Sequence, residues 1–134
     1  MGAGHSNIPR LIGVVEDDAA VLNSLEFSLQ AEGYRVCAFT CAADVDVSQE
    51  ILHADCLVID FALPDRTGAA LLRALRKRGM TCPAMIIASS PTARCRQEVG
   101  AVGAPLVEKP LMGPELIDHI RQALTPTSGG HSRV

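Results

Sequence analysis

The sequence predicts an α/β fold, a doubly wound five-stranded parallel sheet with helices on both faces. Five short apolar runs alternate with helical patterns along the chain, and this alternation indicates consecutive βα units. Three of the runs are almost continuously apolar, which is typical of strands buried on both faces of a parallel sheet. With five strands and right-handed crossovers, the favoured strand order is 2-1-3-4-5.

The individual elements follow from apolar runs, helical stripes and end signals. Strands are predicted at residues 11–15, 34–38, 56–59, 84–88 and 106–107. Helical stripes consist of Val21, Leu22, Leu25 and Leu29, then Leu71, Leu72 and Leu75, and, after Pro114, Leu116, Ile117, Ile120 and Leu124. Gly33 and Gly79 are expected to end the first two helices, and Ser90 to cap a helix that begins at Pro91. Residues 42–52 are predicted as helix, although part of this segment alternates as a strand would.

Composition and charge argue against several classes of function. The 134 residues carry a formal net charge of −3, so bulk electrostatics favours neither nucleic-acid binding nor membrane binding. The chain has no Trp, one Tyr and three Phe, so stacking platforms for single-stranded nucleic acid are not expected. No run of about 18 apolar residues occurs, and a transmembrane helix is therefore not predicted.

The cysteines and the first residues point to a reducing compartment. The five cysteines form no CxxC pair and match no zinc-binding spacing. They are interpreted as small apolar filler, with a thiol sensor around Cys37 and Cys41 as the alternative. The first residues lack a basic stretch followed by an apolar one, so no signal peptide is predicted. A cytoplasmic location is the expectation.

A single domain is expected over residues 10–124, between flexible tails at 1–9 and 125–134. Both tails are small and polar, and neither an internal repeat nor a linker to an output domain is visible. His5 and His131 lie in the tails, while His53 and His119 lie on polar parts of helices. All four are therefore expected to be surface side chains rather than ligands or phosphate carriers.

Charged residues follow the ends of three predicted strands. Glu16, Asp17 and Asp18 come after strand 1, Asp60 after strand 3, and Lys109 at the end of strand 5. The predicted topology brings these ends to one edge of the sheet, beyond strands 1 and 3. Carboxylates about 4 Å apart repel one another by several kcal/mol at an effective dielectric near 20. A cation relieves this repulsion, and all-oxygen ligands suit Mg²⁺ bridging to a phosphoryl group, with the lysine as a point charge.

The residues that follow the strands identify a family. From Leu11 to about Leu124 the chain resembles the receiver domain of two-component response regulators, which has a flavodoxin-like fold. The matching segments are VVEDD at 14–18 with Val21, Ser24 and Leu25, GYRV at 33–36, DFALPDRTG at 60–68, GA at 103–104 and EKP at 108–110. An acidic pair, an Asp-x-x-Leu-Pro-x-x-x-Gly stretch and a downstream Lys-Pro form a specific combination.

The resemblance implies a role for each site residue. Asp60 corresponds to the phosphoacceptor, and Glu16 and Asp17 to the acidic pair that holds Mg²⁺. Asp60 and the backbone carbonyl of Ala62 would complete the protein ligands, and Lys109 would contact the phosphoryl group. Asp18 is expected to be an accessory or helix-capping acid.

The resemblance also implies partners and one backbone feature. It implies a cis bond between Lys109 and Pro110. The implied reaction is phosphoryl transfer from a phosphohistidine on a sensor kinase or phosphotransfer protein, followed by slow hydrolysis of the acyl phosphate. Signalling would then pass to an unknown downstream protein by direct contact.

Two positions depart from the family pattern. The family carries Thr or Ser at the end of strand 4, where alignment on Pro83 and Gly103 puts Ala88. It usually carries an aromatic residue on strand 5, three before the lysine, and that residue is Leu106 here. The residues for accepting a phosphoryl group are therefore present, while the usual pair that reports phosphorylation is absent.

Two alternatives remain at this point. One is a pseudo-receiver, a binding module whose contacts do not depend on phosphorylation. The other is an FMN-binding or hydrolase domain on the same fold. The latter is disfavoured, because no Gly-rich phosphate loop follows strand 1 and neither a DxDxT-like motif nor a plausibly placed Ser/His/Asp set is found.

Overall fold

A computed structural model, which describes residues 8–111 and 114–125, contains the predicted parallel sheet with strand order 2-1-3-4-5. The strands are β1 (Leu11–Val15), β2 (Arg35–Phe39), β3 (Cys56–Asp60), β4 (Ala84–Ser89) and β5 (Leu106–Lys109). The helices are α1 (Ala19–Ala31), α2 (Ala42–Asp46), α3 (Gly68–Lys77), α4 (Ala93–Ala101) and α5 (Glu115–Leu124), with a 3-10 turn at Glu50–His53. The predicted α/β fold class and strand order are confirmed. Apart from residues 8, 9 and 125, the predicted tails lie outside the described residues.

The sheet separates two hydrophobic clusters, as expected when helices cover both faces. The larger cluster packs β-strand side chains such as Leu57 and Ile86 against Leu71 and Leu72 of α3. The other cluster packs Ile12, Val14 and Val58 of the sheet against residues of α1 and α5, including Leu25, Leu29 and Ile120. All residues of β1 and β3 are buried, which explains their continuously apolar sequence up to the end of each strand.

Local signals fix both ends of the first helix. Asp18 is the N-cap of α1, and its carboxylate accepts hydrogen bonds from the backbone N–H groups of Ala20 and Val21. The predicted capping role of Asp18 is thus confirmed. The helix ends at Ala31, and Gly33 follows with a φ of 95°, a conformation that glycine adopts without steric cost.

Two helix predictions were wrong in detail. The helix predicted from Pro91 begins at Ala93, and Thr92 rather than Ser90 is its N-cap, accepting from the N–H of Cys95. Ser90 instead adopts a left-handed conformation with φ of 44°, which turns the chain out of β4 before the helix can begin. The single helix predicted over residues 42–52 is divided into the five-residue α2 and the 3-10 turn.

The buried cysteines behave as apolar residues. All five cysteines are free thiols, and Cys37, Cys56 and Cys95 are buried. Burial raises the pKa of Cys37 to about 11 and that of Cys56 to about 12, so both remain protonated at neutral pH. This supports the interpretation as filler and opposes a reactive thiolate at Cys37. Throughout residues 8–111 and 114–125, each helix is too short or too polar to cross a lipid bilayer.

Candidate functional site

Three carboxylates converge at the edge of the sheet where β1 and β3 end. Glu16 and Asp17 follow β1, and Asp60 is the last residue of β3. The two strands are paired in parallel, with Val15 opposite Ile59, so the residues that follow them must be neighbours. One carboxylate oxygen from each of the three acids lies within 4.8 Å of the others. The predicted convergence of Glu16, Asp17 and Asp60 is therefore what the structure shows.

Lys109 reaches this acid cluster from the other side of β4. It is the last residue of β5, and β4 lies between β5 and β3 in the sheet. The Lys109 Nζ is 3.0 Å from Glu16 Oε1 and 3.3 Å from Asp60 Oδ1. The peptide bond between Lys109 and Pro110 is cis, as the resemblance implied. One ammonium thus contacts two of the three carboxylates, and the four side chains have a formal net charge of −2.

Burial makes the electrostatics of this cluster unfavourable. In the described part of the chain, Glu16 and Asp60 are the two charged side chains that are buried, with 0% and 4% exposure. Desolvation, reinforced by the Glu16 carboxylate, raises the pKa of Asp60 from 3.8 to about 6 despite the attraction of Lys109. Burial also works against the Lys109 ammonium, but its hydrogen bond to Glu16 and the attraction of Asp60 keep its pKa above the ordinary value. A further cation would relieve the remaining repulsion.

The loop between β3 and α3, residues 61–67, is closed tightly at its base. The Phe61 N–H donates to the Ile87 carbonyl of β4 at 2.8 Å, and the Gly68 N–H donates back to the Phe61 carbonyl at 2.7 Å. Ala62 and Thr67 form an antiparallel bridge across this loop. A Cβ atom on Gly68 would overlap the Asp60 carbonyl oxygen and lie 2.8 Å from a methyl group of Ile59. Only glycine permits α3 to start this close to the end of β3.

A cavity of about 450 Å³ opens above the acids. The acids and Lys109 line it together with Phe61 and Ala62 of the β3–α3 loop. The other lining residues come from the end of β4, the turn after it and the start of α4: Ala88, Ser89, Ser90, Pro91, Thr92 and Cys95. The sequence analysis placed Ala88 at the end of the fourth strand, whereas β4 continues to Ser89, and it missed Thr92 and Cys95 as lining residues. The signal that could have identified them is Thr92 itself, a residue that can cap a helix. With Thr92 as the N-cap, Cys95 lies in the first turn of α4, next to the cavity.

The two atypical positions have different environments. Ala88 is buried, lines the cavity and carries no hydroxyl group. Leu106 is half-buried and packs against the larger hydrophobic cluster, on the same strand as Lys109. Ser89, one residue after Ala88, is exposed and also lines the cavity. Neutral hydroxyl donors therefore stand at the mouth of the site instead of at its buried end.

Comparison with known proteins places this chain in a family. The sequence matches the model of the family described as "Response regulator receiver domain" over residues 12–121. With its fold and its acid cluster, the chain belongs to the receiver domains of response regulators, which are signalling domains of two-component systems.

Individual relatives agree with this assignment. The chain is 33% identical over 112 residues to the transcriptional regulatory protein BasR of Escherichia coli. This alignment covers 83% of the chain and 50% of BasR. It is 31% identical over 122 residues to the cell cycle transcriptional regulator CtrA of Caulobacter vibrioides, covering 90% of this chain and 52% of CtrA. The chain thus spans about half the length of these relatives.

Solved structures share the fold. The non-phosphorylated receiver domain of HemR from Leptospira biflexa superposes with a TM-score of 0.79 at 24% identity, and the alignment covers 88% of this chain and 96% of the HemR domain. The CheY-like receiver domain protein from Methanospirillum hungatei gives a TM-score of 0.78, also at 24% identity, with 87% and 94% coverage. At these identities the likeness supports the fold alone.

Proposed function

We propose that this chain accepts a phosphoryl group on Asp60 from the phosphohistidine of a sensor kinase or phosphotransfer protein. The observation that carries the proposal is the contact of one ammonium, Lys109, with the buried Asp60 and Glu16 beside an open cavity. A buried aspartate beside a fixed cation and a cavity is suited to attack on a phosphorus atom and to stabilising the charge that develops there. Residues 10–124 are the proposed functional unit.

The transfer is a substitution at phosphorus. An Asp60 carboxylate oxygen forms the new P–O bond while the P–N bond to the histidine breaks, and the imidazole nitrogen keeps the electron pair. Lys109 already lies 3.3 Å from Asp60 Oδ1, so its ammonium can follow the negative charge onto the phosphoryl oxygens. In the later hydrolysis, water attacks the phosphorus and Asp60 leaves again as a carboxylate, which releases inorganic phosphate.

The acid cluster fits a bound Mg²⁺. Its ligand atoms are hard carboxylate oxygens that lie within 4.8 Å of one another, and one lysine leaves the cluster with excess negative charge. Glu16, Asp17 and Asp60 would hold the ion, with the backbone carbonyl of Ala62 as a further ligand. When bound, Mg²⁺ would neutralise charge on the transferring phosphoryl group.

Phosphorylation is expected to change the α4, β5 and α5 surface less than in a typical receiver. A hydrogen bond to a charged group contributes about 1.5–3 kcal/mol, and Ala88 cannot donate one. About 5.5 kcal/mol is needed to drive a two-state equilibrium from 1:99 to 99:1, so this loss is substantial. Leu106 has no ring whose reorientation a partner could read. The proposed downstream protein therefore binds the phosphoryl site itself or a surface that is already formed.

A direct test is incubation with acetyl phosphate and Mg²⁺, followed by intact mass measurement. The proposal predicts the mass gain of one phosphoryl group in the wild type and none in Asp60→Asn. Asp118→Asn, which alters an exposed acid of α5, is the matched control and should be modified normally. An unmodified wild-type chain would favour the pseudo-receiver alternative.

The remaining assignments are part of the same proposal. The partners are a kinase or phosphotransfer protein and a downstream protein, without direct contact to nucleic acid or membrane, and the location is the cytoplasm. The names of BasR and CtrA describe transcriptional regulators, which is a statement about those longer proteins. The FMN-binding and hydrolase alternatives gain no support from the family match.

A further inference from the structure

Two consecutive residues of the β3–α3 loop hold both ends of the short helix α2. Asp65 accepts hydrogen bonds from the N–H groups of Ala42 at 3.0 Å and Ala43 at 2.8 Å, the first two residues of α2. Arg66 forms two hydrogen bonds to the carboxylate of Asp46, the last residue of α2. The loop therefore contacts this helix through two oppositely charged side chains, one at each end. We refer to these contacts of Asp65 and Arg66 as the α2 clamp.

The charges of the α2 clamp match the helix that it holds. A carboxylate is favourable at a helix N-terminus and a cation is favourable near a C-terminus, here also beside Asp46. The hydrogen bond from Ala42 keeps the pKa of Asp65 below its ordinary value, and the hydrogen bond to Asp46 raises the pKa of Arg66. Both residues are consequently charged over the whole neutral range.

The helix is a fixed point, not a mobile one. Ala42 and Val45 of α2 are fully buried and belong to the larger hydrophobic cluster. The clamp residues themselves are exposed or half-buried, and exposed ion pairs contribute little to folding stability. Their main effect must then be on where the loop lies relative to this buried anchor.

The loop that the clamp holds carries a wall of the functional cavity. Its base is fixed by the bridge between Ala62 and Thr67 and by the hydrogen bond from Gly68 to Phe61. Ala62 lines the cavity beside Asp60, within three to four residues of the clamp. With its base tied to the sheet and its tip tied to α2, the loop has little freedom to move the Ala62 backbone away from the acids.

We infer that Asp65 and Arg66 are positioning residues for Mg²⁺ binding, because they hold the Ala62 carbonyl in place by fixing the loop to α2. This inference rests on the proposed function, in which the Ala62 carbonyl and the acid cluster bind Mg²⁺. It assigns a share in the affinity of the site to two loop residues that are not themselves proposed metal ligands. It also makes α2 the element from which the position of that carbonyl is set.

Mg²⁺ affinity, measured by calorimetric titration of the full chain well below its unfolding temperature, tests this inference. Removing a residue that orients a metal ligand typically weakens metal affinity about 10–100-fold. Asp65→Ala should weaken Mg²⁺ affinity by an amount at the lower end of that range. Asp65→Asn should be weakened less, since its carbonyl oxygen still accepts one of the two N–H groups. Arg66→Gln should also bind more weakly, and Arg66→Lys should recover part of the affinity.

Two matched controls separate positioning from general stability. Ser48→Ala removes the hydroxyl that accepts from the Ile51 N–H, a local hydrogen bond shortly after α2 that involves no residue of the loop. Arg121→Gln removes exposed ion pairs to Glu32 and Asp118. Both should retain wild-type Mg²⁺ affinity, and the amide shifts of residues 61–63 without Mg²⁺ should change only in the clamp variants.

The outcomes distinguish this inference from the function on which it rests. Wild-type affinity in both Asp65→Ala and Arg66→Gln, with binding abolished in Asp60→Asn, would overturn the positioning role and leave the proposed site intact. Unchanged affinity in Asp60→Asn would overturn the site and the positioning role together. The positioning role would also be overturned if Mg²⁺ affinity fell in proportion to the unfolding temperature, in the same way in the clamp variants and in Ser48→Ala.

Discussion

Replacing the proposed acceptor by its neutral isostere should make the metal-free protein more stable. Asp60 is 4% exposed and lies beside the Glu16 carboxylate, and these surroundings raise its pKa from 3.8 to about 6. Each pH unit between these two values contributes about 1.4 kcal/mol, so the ionised carboxyl lowers the free energy of unfolding by about 3 kcal/mol. Asp60→Asn removes the charge but keeps the shape of the side chain.

The sign of the effect depends on pH in a defined way. Between pH 3.8 and about 6 the folded protein binds more protons at Asp60 than the unfolded chain does, so stability from this group falls as pH rises. The full loss of stability from the ionised Asp60 carboxyl is present above about pH 6, and it is absent below pH 3.8. The free energy of unfolding of Asp60→Asn should therefore exceed that of the wild type by about 3 kcal/mol at pH 8 and by little at pH 4.

Urea unfolding followed by circular dichroism, in the presence of a chelator, measures this difference. Asp118→Asn is the control, because substitution of an exposed acid usually changes stability by less than about 0.5 kcal/mol. Adding Mg²⁺ at about 100 times its Kd should raise the free energy of unfolding of the wild type by about 2.7 kcal/mol. It should leave that of Asp60→Asn unchanged. If the variant is no more stable than the wild type at pH 8, or if its gain is equal at pH 4, the electrostatic argument is refuted.

Three further predictions concern other parts of the site. Asp17→Asn should abolish Mg²⁺ binding in a titration, because it removes both a ligand and a charge. Gly68→Ala should destabilise the fold by about 1–3 kcal/mol, the usual cost of overpacking, since the new methyl group overlaps the Asp60 carbonyl oxygen. Ala88→Thr should enlarge the amide shift changes that beryllofluoride with Mg²⁺ produces over residues 91–124, because it adds a hydroxyl donor at the cavity wall.

Each of these has its own contrary result. Unchanged Mg²⁺ affinity in Asp17→Asn would remove this acid from the ligand set. Gly100→Ala, inside α4 with nothing within 4 Å of the added Cβ, should stabilise by about 0.8–1 kcal/mol, and a similar gain in Gly68→Ala would contradict the close-approach argument. A full-sized response over residues 91–124 in the wild type would show that Ser89 or another group replaces the missing hydroxyl.

The strands and the acid cluster could be predicted because their signals are local and the topology is restrictive. Continuously apolar runs at β1, β3 and β4 indicate burial on both faces, and right-handed crossovers leave few ways to connect them. Once the order is 2-1-3-4-5, the ends of β1 and β3 are neighbours. The positions of Glu16, Asp17 and Asp60 then follow without knowledge of any side-chain contact.

The start of α4 and the α2 clamp could not be predicted in the same way. The segment from Ser90 to Thr92 offers two residues that can cap a helix, and Thr92 is used because the backbone at Ser90 turns with positive φ. That turn is set by the end of β4, not by local preference. The partners of Asp65 and Arg66 lie 20 to 23 positions earlier in the chain. Hydrophobic periodicity predicts helices and strands, but it does not predict side-chain contacts between residues this far apart.

The ion pair between Lys109 and Glu16 joins residues 93 positions apart and has a consequence for biosynthesis. β5 is an edge strand and is synthesised after the other four, so a ribosome-bound or truncated chain that ends before it holds Glu16 and Asp60 without their ammonium. Two buried carboxylates that lack a cation repel each other, and under the proposed function such a fragment is expected to accept a phosphoryl group poorly. Under the proposed function, competence to accept a phosphoryl group is therefore a property of the finished domain, and incomplete chains are not expected to compete for the phosphoryl groups of a kinase.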